Sequence, residues 1–241
     1  MIELRGLSFG YPETPVLRAL DLEIGEGESV ALIGPNGSGK STLLKILCGL
    51  LAPGSGSYRF DGREVTKASL ADPGFAKGFH QRVGLLFQDS AVQLFCGSVF
   101  DEIAFGPRQM GLGEAEVASR VGDLLAMFGL ESLAGRVPYH LSGGEKRKVA
   151  LASVLALAPD AILLDEPMGG LDPRTKRSLK EKIVSLNASG MTVLCATHDF
   201  EYVDGLFSRA VVLSKDGRVA RDGSYREVLA DRAFLAEMNI V

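Results

Sequence analysis

Cysteine is scarce in this chain, long apolar runs are missing and positive charge is not in excess; each shortage narrows what the protein can be. The three cysteines, Cys48, Cys96 and Cys195, lie far apart in 241 residues. They form no C-x-x-C pair and have no His-rich company, so neither a metal cluster nor a disulfide framework is expected, and free thiols in a reducing cytosol are. The longest apolar stretch runs from Val149 to Ala158, contains Ser153 and stops at Pro159. A bilayer crossing needs ~20 residues, so no span is expected. The opening Met1-Ile2-Glu3-Leu4-Arg5 lacks the basic-then-apolar order of a secretory leader. Lys and Arg number 26 against 30 Asp and Glu, a net charge of −4. Affinity for nucleic acid comes mainly from cations that neutralise phosphates, so no nucleic-acid partner is expected. The basic runs Lys146-Arg147-Lys148 and Lys176, Arg177, Lys180 read as solvated helix faces.

What is present is ordinary globular composition, 46% hydrophobic and 23% charged, in enough chain to bury a substantial core. Residues 2–9 and 16–24 read as strands, the second because Leu20, Leu22 and Ile24 alternate with Asp21 and Glu23. Tyr11 to Pro15, with its prolines, reads as the turn between them. Ser29-Val30-Ala31-Leu32-Ile33 is apolar on both faces, the pattern of a strand inside a parallel sheet. Strands are also expected at 56–62, 82–87, Ala161–Asp165, Met191–Ala196 and Ala210–Leu213. Helices are expected at 98–104, 114–128, 142–157, 174–187 and 200–206, and from Ser224 onward, where Ser224 and Glu227 form a capping box. The fold class is therefore α/β. One domain is expected, its core with a β subdomain at about 1–89 and 160–241 and an inserted helical subdomain at about 90–159.

Gly34-Pro35-Asn36-Gly37-Ser38-Gly39-Lys40-Ser41-Thr42 fits G-x-x-x-x-G-K-[ST] and lies between the buried strand and a helical run of Leu43, Leu44, Ile46 and Leu47. Glycines let backbone N–H groups converge on an anion, and the following helix aims its positive dipole end at the same place. Lys40 adds a mobile positive charge for the β- and γ-phosphates of a nucleotide, and the Ser41 hydroxyl suits Mg²⁺. Apolar Ala161 to Leu164 ends in Asp165-Glu166. A carboxylate at the C-terminal edge of a parallel sheet sits beside the ligand crevice. Asp165 there suits Mg²⁺, mostly through water, and Glu166 suits a general base for an attacking water.

Leu141-Ser142-Gly143-Gly144-Glu145 precedes that carboxylate pair. Ser142 and Glu145 have capping-box spacing, and Gly143 and Gly144 leave a helix start able to approach an anion. The segment resembles the LSGGQ signature of ABC ATPases, with Glu145 where Gln is commoner. Tyr11 then resembles the aromatic that stacks on adenine, Gln88 the Q-loop glutamine, Gly170-Leu171-Asp172 the D-loop and His198 the H-loop histidine. The resemblance runs from Tyr11 to about Gly223. It implies a P-loop (RecA-like) core with an antiparallel β subdomain and a helical insertion, and ATP hydrolysis with Mg²⁺ held by Ser41, Gln88 and Asp165. It implies Lys40, Glu166 and His198 as catalytic residues. It also implies a second ATPase subunit, identical or related, whose ATP faces Ser142, Gly143, Gly144 and Glu145 while Asp172 acts across the interface.

Gln88-Asp89-Ser90-Ala91-Val92-Gln93-Leu94-Phe95, followed by Val99 to Pro107, is similar to the Q-loop region of energy-coupling-factor (ECF) ATPases of the cobalt/nickel uptake group. Ser90, Ala91, Met168 and Gly169 depart from the commoner residues of that group. Leu94, Phe95, Val99 and Phe100 are costly to leave in water, at about 1.5–3 kcal/mol each for full burial. They either pack inside the helical insertion or form a groove for a helix of a membrane partner. The resemblance favours the groove, with integral-membrane subunits docking near 88–107 and the chain at the cytoplasmic face of the membrane. A soluble ABC ATPase without a transport role, or a motor for another solute, is the alternative.

Overall fold

The computed structural model describes every residue except Asp204, and for Glu201 and Tyr202 the backbone alone. Its strands are β1 (Ile2–Tyr11), β2 (Thr14–Ile24), β3 (Ser29–Ile33), β4 (Ser55–Phe60), β5 (Arg63–Glu64), β6 (Val83–Leu86), β7 (Ala161–Asp165), β8 (Thr192–Ala196), β9 (Arg209–Leu213) and β10 (Val219–Ser224). Its helices are α1 (Lys40–Leu47), α2 (Lys67–Ala71), α3 (Pro73–Arg82), α4 (Val99–Met110), α5 (Glu114–Phe128), α6 (Gly143–Leu155), α7 (Pro173–Ala188), α8 (Phe200–Val203), α9 (Tyr225–Ala230) and α10 (Arg232–Glu237). The expected helix at 200–206 includes Asp204, which lies outside the described residues.

Two sheets organise these elements. A 4-stranded antiparallel sheet has the order β2-β1-β4-β5, and a 6-stranded sheet has the order β10-β9-β3-β8-β7-β6. In the larger sheet β9, β3, β8, β7 and β6 run parallel, and only β10 is antiparallel. Every residue of β3, β6, β7 and β8 is buried, because helices cover one face and the second sheet with α1 covers the other. The two-residue alternation of a strand divides each between two cores. Ala31, Ile33, Leu164 and Cys195 face the helical side, whereas Val30, Leu32, Leu163 and Leu194 face α1 and the smaller sheet. In that smaller sheet Leu20, Leu22 and Ile24 are buried opposite Leu7, Leu4 and Ile2.

Several boundaries differ from the sequence reading, each for an identifiable reason. The β1–β2 turn closes tightly, with Tyr11 opposite Thr14 and Glu13 at φ 67°. Pro15 therefore lies inside β2, which tolerates it as an edge strand. α4 continues past the expected end at 104, through Gly106 and Pro107 to Met110. Gly106 allows it to pack closely on the α6 side, since a Cβ there would lie 2.9 Å from Leu157 Cδ2. α2 and α3 were not foreseen. Their caps, Thr66 and Asp72, hold short helices whose apolar content is too small to show a period. At Ser224 the capping box is absent: the side chain makes no cap bond. Ser224 is the last residue of β10, paired with Arg209, and that pairing sets its backbone. Asp231 instead caps a separate α10, accepting from the Phe234 N–H.

All described elements between β6 and β7 are helical. α6 is their centre, with Val149 to Ala152, Val154 and Leu155 buried, and it packs against α4, α5 and β6. Contact with β6 is close enough to require glycine, because a Cβ on Gly84 would lie 2.3 Å from Val154 Cγ1. Gly84→Val should therefore cost about 1–3 kcal/mol through overpacking, seen as a lower urea midpoint. An unchanged midpoint would contradict this close approach.

Candidate functional site

The C-terminal ends of β3, β6, β7 and β8 lie close together in one sheet, and each leads into a segment with chemically distinctive residues. Outside the carboxyl ends of parallel strands is where an open α/β sheet leaves room for a ligand. β3 leads into the glycine loop, whose last member, Gly39, precedes α1 at φ 93° and supplies no side-chain cap. The first N–H groups of α1 are thus left for an anion. Space excludes larger residues here: a Cβ on Gly39 would meet Leu17 Cδ2 at 2.6 Å, and one on Gly34 would meet the Leu213 carbonyl at 2.6 Å. The buried Ser38 hydroxyl has no hydrogen-bond partner.

Lys40 folds back over the loop, donating from Nζ to the Gly34 carbonyl at 2.6 Å and the Pro35 carbonyl at 3.0 Å. Burial pulls its pKa below the usual lysine value, and Glu166 and Asp165 oppose that shift. Asp165, the last residue of β7, is buried and its pKa is raised by that burial. The Ser41 hydroxyl bond, Lys45, Lys40 and Arg147 pull the other way. Glu166 occupies the left-handed region at φ 47°, a strain of about 1–3 kcal/mol for a residue with a Cβ. Its N–H donates to the Ala196 carbonyl at 2.9 Å, which ties it to the end of β8. Its carboxylate meets His198 twice, with Oε1 2.8 Å from Nδ1 and Oε2 accepting from the backbone N–H at 3.3 Å. Strain and hydrogen bonds together hold one carboxylate beside the loop.

A polar cavity of about 530 Å³ is lined by residues 36–42 with Gln88, Asp165, Glu166 and His198. Gly34 and Pro35 contribute carbonyls that hold Lys40 at its edge. A phosphate chain suits these groups: bare amides, a lysine and hydroxyls converge on one space. The hydroxyl of Ser41, the amide of Gln88 and the carboxylate of Asp165 are hard oxygen donors of the kind Mg²⁺ takes, and a single carboxylate fits an ion that keeps several waters.

Other expected site residues lie elsewhere. Tyr11 is 44% exposed and packs edge-on against Phe9; the cavity wall on that side is Val16. Ser142, Gly143, Gly144 and Glu145 also stand outside the cavity. There the capping box is formed: the Ser142 N–H and hydroxyl donate to Glu145 Oε2 at 2.8 and 2.7 Å, and the Glu145 N–H donates back to Ser142 Oγ. Those bonds lower the Glu145 pKa. Asp172 caps α7, accepting from the N–H groups of Arg174 and Thr175 and from the Thr175 hydroxyl.

One basic run was misread. Arg147 is not a solvated residue; it is 7% exposed and donates from Nη1 to the Phe87 carbonyl at 3.1 Å. The sequence held a signal for this, since Arg147 shares the apolar helix face of Ala150, Leu151 and Val154 at i, i+3, i+4 and i+7. Lys176 likewise pairs with Asp199, next to His198. The apolar cluster at 94–100 divides: Val99 is in the core and Leu94 and Phe100 pack against it. Phe95 stays 68% exposed, edge-on to the exposed Phe105. These two rings line an apolar groove of about 380 Å³ with Phe87, Met110 and Leu157. The cysteines are free thiols. Among the described residues no helix is long and apolar enough to cross a membrane.

Comparison with known proteins agrees with this geometry. The family model described as ABC transporter matches residues 17–169. The chain is 46% identical to the nickel import ATP-binding protein LarO of Lactiplantibacillus plantarum, over 92% of each chain. Its fold matches that of cbiO1 from Clostridium perfringens, described as part of the ABC transporter complex cbiONQ, at a TM-score of 0.84 and 33% identity, covering 99% of this chain and 94% of that one. A dimeric ATP-binding cassette in a post-hydrolysis state, bound to ADP and Pi, matches at 0.83 and 30% identity, covering 93% of this chain and 98% of that one.

The raised pKa of Asp165 makes a prediction about stability. Burial penalises its charged form, so the folded protein carries that penalty above the Asp165 pKa and is relieved of it below. Asp165→Asn should raise the melting temperature of the nucleotide-free protein at neutral pH, and the gain should shrink as pH falls through the Asp165 pKa. A gain that persists unchanged at acid pH would assign it to another cause.

Proposed function

The chain belongs to the ABC transporter family of ATP-binding proteins, and from that premise we propose that it is the motor of a cobalt/nickel-type metal-ion importer of the ECF class. As in that family, it hydrolyses ATP to drive transport. The proposal extends to its setting: the cytoplasmic face of a membrane, a second ATPase subunit, and integral-membrane subunits docked at the groove near 88–107. The observation that carries it is the convergence of strand ends, with the uncapped start of α1 facing Asp165, Glu166 and His198 across one cavity. The name of LarO, a nickel import ATP-binding protein, supports the solute class.

In this reading the triphosphate lies along residues 34–42, and Lys40 exchanges the Gly34 and Pro35 carbonyls for phosphate oxygens. Ser41, Gln88 and Asp165 would hold Mg²⁺, which when bound offsets charge on the phosphate oxygens. Glu166 accepts the proton of the water whose oxygen attacks the γ-phosphorus as the bond to ADP breaks. His198 fixes the Glu166 carboxylate through Nδ1, which leaves Nε2 for the γ-phosphate. Tyr11 would have to close over the adenine, beside Val16.

Ser142 to Glu145 and Asp172 stand apart from their own cavity, which fits a role toward ATP held by another subunit. The dimeric cassette found by comparison supports that arrangement. Ser142 must then give up Glu145 Oε2 as its hydroxyl acceptor, and contacts made only in the closed pair would favour closure. The helical segment 90–159 carries the signature and one side of the docking groove, whose other side is β6 with Phe87. Phe95 and Phe105 offer an apolar helix of a membrane subunit a place to rest its hydrophobic face.

Glu166→Gln should leave ATP binding intact and lower turnover by about 10²–10⁴-fold, measured as steady-state phosphate release; near-normal turnover would remove Glu166 from its role. ATPase activity of the isolated chain should rise more steeply than linearly with protein concentration. Phe95→Asp should release the chain from its membrane subunits in detergent pull-downs without changing the activity of the isolated chain, and an intact complex would reject the groove.

A further inference from the structure

Arg147 is an unusual residue to bury. Among the described residues its guanidinium makes one hydrogen bond, from Nη1 to the Phe87 carbonyl at 3.1 Å, and its Nε has no partner. A buried cation so thinly satisfied is weak evidence for a stabilising role, since an apolar side chain of similar volume often serves the fold as well. Its remaining compensation comes from the charges of Asp89, Asp165 and Glu166, which act against the lowering of its pKa by burial.

The acceptor explains the placement. Phe87 and Gln88 follow β6 and face different spaces: Phe87 lines the apolar groove and Gln88 lines the nucleotide cavity. The Phe87 carbonyl and the Gln88 N–H belong to one rigid peptide plane. Whatever holds that carbonyl also sets the direction in which Gln88 leaves the strand. The other side of Phe87 is held from the groove, where its N–H donates to Gln93 Oε1 at 3.3 Å. Arg147 itself is on α6, five positions beyond the Ser142 cap. A cleft of about 360 Å³, lined by Gln88, Asp89, Ser90, Gly143, Arg147 and Leu171, lies where the segment after Gln88 meets the start of α6. The buried Ser90 hydroxyl beside it also lacks a partner.

We propose that Arg147 is a positioning residue that locks the Phe87–Gln88 peptide plane to α6, so that the groove, Gln88 in the nucleotide cavity and the Ser142 end of α6 move as one unit. The inference rests on the reading of the cavity as the ATP site. Removing the guanidinium leaves the phosphate loop untouched and frees the plane. Arg147 also draws down the pKa of Asp165, so its charge serves the same cavity from behind.

The test uses the full chain, which contains no tryptophan, with Phe95→Trp added as the only indole. ATP added to this reporter carrying Glu166→Gln should shift the emission of the groove indole. Arg147→Met in the same background should abolish the shift while ATP still binds, as read by ATP-dependent thermal stabilisation. In the chain without Glu166→Gln or the reporter, Arg147→Met should lower kcat by about tenfold to a hundredfold, the scale of a displaced catalytic group, and leave KM for MgATP within about twofold. Arg147→Lys keeps the charge and a donor and should recover most of both readouts. The inference is overturned if the emission shift is absent with Arg147 in place, or survives Arg147→Met. It is overturned too if Met and Lys lose kcat equally and in step with melting temperature. Loss of ATP stabilisation in every version, including the unsubstituted chain, would instead strike the ATP-site reading itself.

Discussion

Charge held among apolar strand ends is the constraint on which the molecule turns. Lys40, Asp165, Glu166 and Arg147 all approach the C-terminal edge of a sheet whose β3, β6, β7 and β8 are buried throughout. None of these groups is comfortable there alone. Burial depresses the pKa of the two cations and raises that of Asp165, and in each case the opposite charges oppose the shift. The cluster exists because cations and carboxylates arrive together from α1, the end of β7 and α6. A site so composed can accept a polyanion and a divalent cation with little rearrangement of its own dipoles, the condition for electrostatic catalysis.

The helix starts show how the chain distributes its unpaired amides. α1 begins with a glycine and no cap, and its amides open into the cavity. α6 and α7 begin outside it and satisfy their first amides internally, through Ser142 with Glu145 and through Asp172. The same backbone requirement is thus met by ligand in one case and by side chain in the others. This division accompanies glycines at 34 and 39 of the loop, where there is no room for a Cβ, and an acidic residue at 145. A carboxylate is a stronger acceptor for the Ser142 hydroxyl than an amide oxygen, and Glu145 supplies one at the start of α6.

The helical part shares one apolar core with the sheet, and two further contacts fix it at that edge. Gly84 lets α6 lie against β6, and Arg147 crosses from α6 to the last carbonyl before Gln88. The apolar groove and the polar cavity are back to back across that carbonyl, with consecutive residues facing each. Two surfaces of opposite character, the polar cavity and the apolar groove, therefore meet at one peptide plane.

Much of this was legible in the linear chain because its signals are local. Buried parallel strands read as unbroken apolar runs, and the phosphate loop and the Ser142–Glu145 box are short motifs whose backbone meaning does not depend on distant residues. Resemblance to ABC ATPases ordered the remaining motifs. What the linear chain did not contain was the outcome of competition between neighbours. Pro107 stays helical because Gly106 lets α4 pack against Leu157, and Ser224 loses its cap because β10 claims its backbone. Arg147 lies on the apolar face of α6, and the tertiary structure adds the carboxylates of Asp89, Asp165 and Glu166 that oppose the cost of its burial. Local backbone preference was settled by the sequence; which charges meet, and which face of each helix stays dry, was decided only when the strand ends were brought side by side.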